Sequence, residues 1–248
     1  MNTFKVAVST AVLACVAGTV NAGIALPQGW DMLVQVGNGA PWSAVANPET
    51  WVVTTSTGPD GHLRYRVQGA AIGDGFSVSF NTVLDPDPFI SSSFTIQNMT
   101  GMTQNFTVTT TLPTFPVLFA PTTMTGSVSG TVGDGDGALA PTGFGGTVTT
   151  QANGRPYYEA LVDGLDTRSL YTAPQVHNAP LGLTSTIPTQ NFINEVGPAV
   201  ISSIGIRNAF TLTSGDNAAF TSTFLIVPTP SGLAVAGLIG LAGLRRRR

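Results

Sequence analysis

Between Met102 and Leu112 the chain alternates without a break. Met102, Gln104, Phe106, Val108, Thr110 and Leu112 fall on one side, and Thr103, Asn105, Thr107, Thr109 and Thr111 on the other. A period of two marks a β-strand with one buried and one solvated face, because successive side chains of an extended backbone point to opposite sides of a sheet. The pattern recurs at Ile204, Ile206, Phe210 and Leu212, then past Ser214-Gly215-Asp216-Asn217 at Ala218, Phe220, Phe224 and Ile226, which predicts a β-hairpin. A second hairpin is predicted from Trp51-Val52-Val53 across Gly58-Pro59-Asp60-Gly61 to Leu63, Tyr65 and Val67. A third joins Phe94-Thr95-Ile96 to the threonine strand through Asn98 to Gly101, and Phe76, Val78 and Phe80 make a further strand. No segment sustains apolar residues at i, i+3, i+4 and i+7. The expected fold is therefore all-β, an antiparallel β-sandwich with Phe210, Phe220 and Phe224 inside and Thr103, Thr107 and Thr109 outside.

Two stretches read differently. Residues 113 to 155 carry many prolines and glycines, with Val128, Val132 and Val148 as strand fragments, and Gln175 to Gly197 reads as a long connection. A strand resumes directly after it, so one domain is expected, running from residue 23 to 226.

Charge excludes some partners. Only 9% of the 248 residues are charged, and the segment 23–226 holds five arginines, no lysine and all thirteen acids. That balance repels phosphate backbones, which argues against nucleic acid. The one cysteine, Cys15, lies in an N-terminal apolar run, so the expected mature body has neither disulfide nor thiolate metal site, and no cofactor is expected.

The ends carry the address. Lys5, the apolar stretch Val6 to Val20 and then Asn21-Ala22 read as a secretory signal peptide over residues 1–22, cleaved before Gly23. At the other end Val227-Pro228-Thr229-Pro230 precedes a Gly- and Leu-rich run, 231–244, closed by Arg245, Arg246, Arg247 and Arg248. An apolar helix with a basic stop is a membrane signal that keeps the arginines on the cytoplasmic side. Fourteen residues span only about 21 Å of a roughly 30 Å hydrocarbon core, which suits a transient segment.

This end resembles a PEP-CTERM tail, the exosortase-recognised sorting signal of exopolysaccharide-producing Gram-negative and planctomycete bacteria. Val227-Pro228, Pro230, the apolar helix and Arg245 to Arg248 match its parts, and Thr229 stands where the motif expects Glu. The wording from Asp85-Pro86-Asp87-Pro88 through Phe106, and from Ile204 to Phe220, is loosely similar to uncharacterised sandwich bodies found ahead of such tails. The resemblance implies an exosortase-type sorting enzyme as partner, transient contact with the inner membrane, and delivery to the cell surface or extracellular matrix. It implies no activity.

The candidate sites have plainer readings beside them. Gly126-Ser127-Val128-Ser129-Gly130 has valine where a nucleophile elbow needs serine. His62 and His177 read as solvated loop residues, and Glu159 and Glu195 as acids without a defined separation. Asp134 and Asp136 on a glycine-rich loop read most simply as turn residues, and they would begin a calcium site only if other acids, such as Asp163 and Asp166, approached them in space. Asn98-Met99-Thr100 and Asn105-Phe106-Thr107 match the N-glycosylation pattern. Trp30, Trp42 and Trp51 are candidates either for core packing or for a sugar-stacking platform. The expected function is a non-enzymatic surface or matrix protein, with an exopolysaccharide-binding module as the alternative and a secreted hydrolase third.

Overall fold

The structure is a computed structural model that describes residues 26–229, except 59, 60, 115, 116, 141 and 142. The expected signal peptide and the segment 230–248, with its helix and arginines, lie outside the described residues, among which no helix is long and apolar enough to cross a membrane. In chain order the strands begin β1 (Asp31–Val36), β2 (Trp42–Ser43), β3 (Trp51–Thr57), β4 (Leu63–Gly73), β5 (Phe76–Asp85), β6 (Phe89–Asn98), β7 (Gln104–Pro113) and β8 (Thr122–Gly133). They continue β9 (Gly146–Thr149), β10 (Gln151–Ala152), β11 (Arg155–Pro156), β12 (Tyr158–Val162), β13 (Leu165–Leu170), β14 (Val176–Ala179), β15 (Thr184–Gly197), β16 (Ser203–Leu212) and β17 (Asn217–Pro228).

The protein is all-β, and its sheets are antiparallel. A first sheet of eight strands runs β13-β12-β16-β7-β1-β2, with β9 on the end of β16 and β14 on β9. A second, of seven strands, runs β15-β8-β17-β6-β5-β4-β3. In β6 each second residue, Ile90, Ser92, Phe94, Ile96 and Asn98, is buried, and β17 repeats this with Ala218, Phe220, Ser222, Phe224 and Ile226. These faces meet those of β7 and β16. Phe220 lies with its ring centroid 4.7 Å from Phe210 and 4.8 Å from Tyr157, while Phe94 stacks on Phe210 at 6.5 Å. Aromatic contact from one sheet to the other, over one shared hydrophobic cluster, is consistent with the expected sandwich.

Several polar groups inside this layer are paired with one another. Thr82, Ser92 and Thr110 form a hydroxyl chain at 3.3 Å per link, and the Ser222 hydroxyl bonds the Asn208 Oδ1 at 3.1 Å. Buried hydroxyls paired in this way avoid the cost of desolvation without a partner.

The hairpin between β3 and β4 forms as expected, with Val53 opposite Val67. The other two do not. β6 pairs with β5 and β17 while β7 pairs with β1 and β16, and β16 and β17 belong to different sheets. Each expected hairpin is instead an arch that carries the chain from one sheet to the other. The alternation was the same in both cases, because two strands facing across a core and two strands side by side bury the same residues. Met102 is also corrected: it lies before β7 and is 65% exposed.

Residues 113 to 155 are more ordered than expected, since β8 is a full strand paired on both sides. The supposed connection from Gln175 to Gly197 contains β14 and β15. β15 is an edge strand, and its register with β8 shifts between Ile187 and Gln190, where Pro188 sits, and again between Phe192 and Glu195. Edge strands accept proline at such irregularities because no neighbour requires its missing N–H. The body also extends past 226. Val227 and Pro228 pair with Thr123 and Thr122, and the Thr229 hydroxyl donates to the Pro121 carbonyl at 2.8 Å.

Both arches are tied by Asn98. Asn98 is fully buried, and its Nδ2 donates to the carbonyls of Met102, Leu212 and Thr213 at 2.9 to 3.0 Å. Its Oδ1 accepts from the amide and hydroxyl of Thr100, and its backbone exchanges bonds with Asp216 and Gly215. An acceptor for the glycosylation pattern at this position is therefore enclosed, whereas Asn105 remains on the surface bonded to Asn153. Asn98→Ala leaves buried carbonyls without donors and should cost at least about 2 kcal/mol in urea unfolding, while Asn105→Ala stays within about 0.5 kcal/mol. Phe220→Ala should cost roughly 3 to 5 kcal/mol and Thr107→Ala little; equal losses would show that the faces are misassigned.

Candidate functional site

Many of the described acids fasten the structure. Arg207 donates to both Glu159 and Asp166 at 2.9 Å, Arg168 pairs with Glu195 at 2.9 Å, and Arg64 with Asp85 at 2.8 Å. Asp31 accepts from the Ser43 hydroxyl and from the amides of Met32 and Val45, which ties β1 to the turn after β2. Asp163, at a left-handed turn between β12 and β13, accepts from the amides of Ile201, Ser202 and Ser203. Glu159 and Glu195 thus sit in separate ion pairs and do not face one another as a carboxylate pair.

The glycine-rich loop does bring carboxylates together. Asp134, Asp136 and Asp216 each offer an oxygen within 4.8 Å of the others. The acid that approaches the pair is Asp216. Asp216 follows β16 in sequence, and only the arch into β17 brings it to the loop after β8, so strand order alone reveals it. These carboxylates already hold the loop: Asp134 accepts from Gly137 and Gly182, Asp136 from Ala138, and Asp216 from Gly135 and the Thr213 hydroxyl. Calcium takes six to eight oxygens, so three carboxylates engaged with their own loops supply part of a shell.

The histidines lie apart. His62 Nδ1 is 2.7 Å from the Asp87 carboxylate on the surface. His177 lies in β14 rather than in a loop; it is half-buried, packs its ring edge-on to Tyr171, and is pushed to a lower pKa by burial. Gly126 faces inward, where a Cβ would come within 2.6 Å of the Phe192 ring and the Tyr158 hydroxyl, so packing explains the glycine of the failed elbow.

The tryptophans pack. Trp30 is 2% exposed and meets Trp51 edge-on, with centroids 5.7 Å apart and planes at 78°; Trp51 donates its indole N–H to the Ala44 carbonyl at 2.7 Å. Trp42 is half-buried and tilted over Phe80 at 6.4 Å. Trp30 and Trp51 thus meet edge to face rather than coplanar.

A concavity opens elsewhere, on the outer face of the second sheet, with a volume of about 580 Å³. Two neighbouring rows of outward residues cross it at right angles to the strands. Ser79, Thr95, Ala219, Thr131 and Thr186 are register partners in succession from β5 to β15. Asn81, Ser93, Thr221 and Ser129 form the next row, and Thr189, at the register shift of β15, closes it. No acidic or basic side chain lines this trough. In the sequence these hydroxyls read only as the solvated side of separate strands, because their alignment depends on register.

The fold and these sites define an antiparallel all-β protein with a neutral, hydroxyl-lined trough and an acidic loop cluster. Protein-family models give no match to the chain, and a search of curated proteins finds no significant similarity.

Two carboxyls should titrate with opposite consequences. Burial pushes Asp163 up, but the amides of Ile201, Ser202 and Ser203 with the Ser202 hydroxyl outweigh it, and its pKa is lowered. Its contribution to stability is therefore present above the unfolded pKa and lost as pH falls through the folded one. Burial raises Asp216, opposed by Thr213 and Gly135 and reinforced by Asp136 and Asp134. Its contribution is present in acid and lost as pH rises through its folded pKa. Between about pH 3 and pH 6 the penalty of Asp163→Asn should grow, whereas Asp216→Asn should become relatively more stable, as measured by thermal melts across that range.

Proposed function

We propose that the protein is an exported structural or interaction component of the cell surface or extracellular matrix, sorted by an exosortase-type enzyme and without catalytic activity. The observation that carries the non-enzymatic reading is where titratable groups lie: the trough is lined by uncharged side chains, and the carboxylates described above serve ion pairs, turns and loop ties. General acid–base chemistry needs a titratable group within reach of a concave site.

The sorting reading draws on the sequence of the tail, with Val227 and Pro228 now part of β17 and Thr229 held to Pro121. On this reading the tail sequence from Pro230 onward, which lies outside the described residues, is the stretch a processing enzyme would meet. The body would remain outside the inner membrane until release, with the arginines on the cytoplasmic face.

Deleting residues 232–248 should send the protein directly to the medium or periplasm. The intact chain, in a host with the sorting enzyme, should lose its tail and reach the surface. Mass spectrometry of the mature protein reads both ends at once, and surface-located protein that still carries Arg248 would mean permanent anchoring and sink the sorting reading.

A further inference from the structure

We infer that the trough on the outer face of the second sheet is a binding site for a neutral polysaccharide strand. This deepens the matrix reading by naming what the body would hold. Five adjacent strands cross the trough, and four spacings of about 4.8 Å give it a length of about 19 Å, enough for several sugar units in line.

The lining sets the chemistry. Each serine or threonine hydroxyl offers one donor and two acceptor positions, and Asn81 adds an amide, so the rows match a ligand that both donates and accepts along its length. Ser93 and Thr221 lie 3.1 Å apart and use only part of that capacity on each other. Between the hydroxyls the lining is carbon at the Ala219 methyl and the threonine methyl groups, while the Phe220 ring lies on the opposite, core face of the sheet. Sugars present the same combination of hydroxyl edges and C–H faces.

Other occupants fit less well. An extended peptide joins a sheet at its edge, and the backbone groups of β8, β17 and β6 beneath the trough are already paired on both sides. A lipid chain needs an apolar lining. An acidic polymer would find no cation in the trough and would meet a body in which thirteen acids outnumber five arginines.

Affinity electrophoresis of the purified protein through gels containing dextran, xylan or galactomannan, with alginate as the acidic comparison, tests the inference independently of the tail. At least one neutral glycan should retard the protein and alginate should not. Ala219→Arg, which fills the trough, should weaken retardation about tenfold or more, and Thr107→Arg on the outer face of the other sheet should leave it unchanged. Should Ala219→Arg fail to fold, Thr131→Arg at the exposed rim replaces it, with circular dichroism and the melting temperature as the check on both. Absence of retardation by all three neutral glycans, retardation untouched by the trough variants, or a preference for alginate would overturn the proposal. A protein sorted to the surface that binds none of them would separate failure of this inference from failure of the matrix reading.

Discussion

The buried amide of Asn98 ties the two arches together. Two sheets that share a core need the chain to pass between them, and every passage exposes backbone groups that neither sheet can pair. Asn98 answers for both passages at once, with its side chain on the carbonyls of Met102, Leu212 and Thr213 and its backbone on Gly215 and Asp216. Once the two arches are tied together, Phe94, Phe210 and Phe220 are brought into register as one aromatic layer. The hydroxyl chain through Thr82, Ser92 and Thr110 then has a fixed partner at each link.

This explains what the sequence made legible. Periodicity located the strands and their inner faces well, since Phe106, Val108, Leu112, Phe210, Phe220 and Phe224 are all buried. It was silent on which sheet each strand joins, so two arches read as hairpins. Proline in β15 read as a loop because its position on an edge is a property of the sheet and not of the segment. Asp134 and Asp136 were visible as a pair two residues apart, but Asp216 was not, since it approaches only through the arch beyond β16.

The same limit hid the trough. Alternation assigns Ser79, Ser93, Thr131 and Thr221 to outer faces, yet a surface is made by register between strands that are distant in the chain. The tryptophans drew attention as the conspicuous aromatic residues, and they went where large apolar rings usually go, into packing with each other and with Phe80. The concave surface was instead built from small hydroxylated residues, whose modest size leaves the space open.

β17 occupies the interior of its sheet, paired with β8 from Asn217 to Pro228 and with β6 from Asn217 to Leu225. In antiparallel pairs the hydrogen bonds lie perpendicular to the strand. A pull on the chain beyond Thr229, directed along the strand, therefore loads both ladders in shear, so that many bonds must yield together. An edge strand such as β15 drawn away sideways would instead unzip one bond at a time. By placing β17 between two neighbours, the fold makes the seam beside Thr229 resist a pull along the strand.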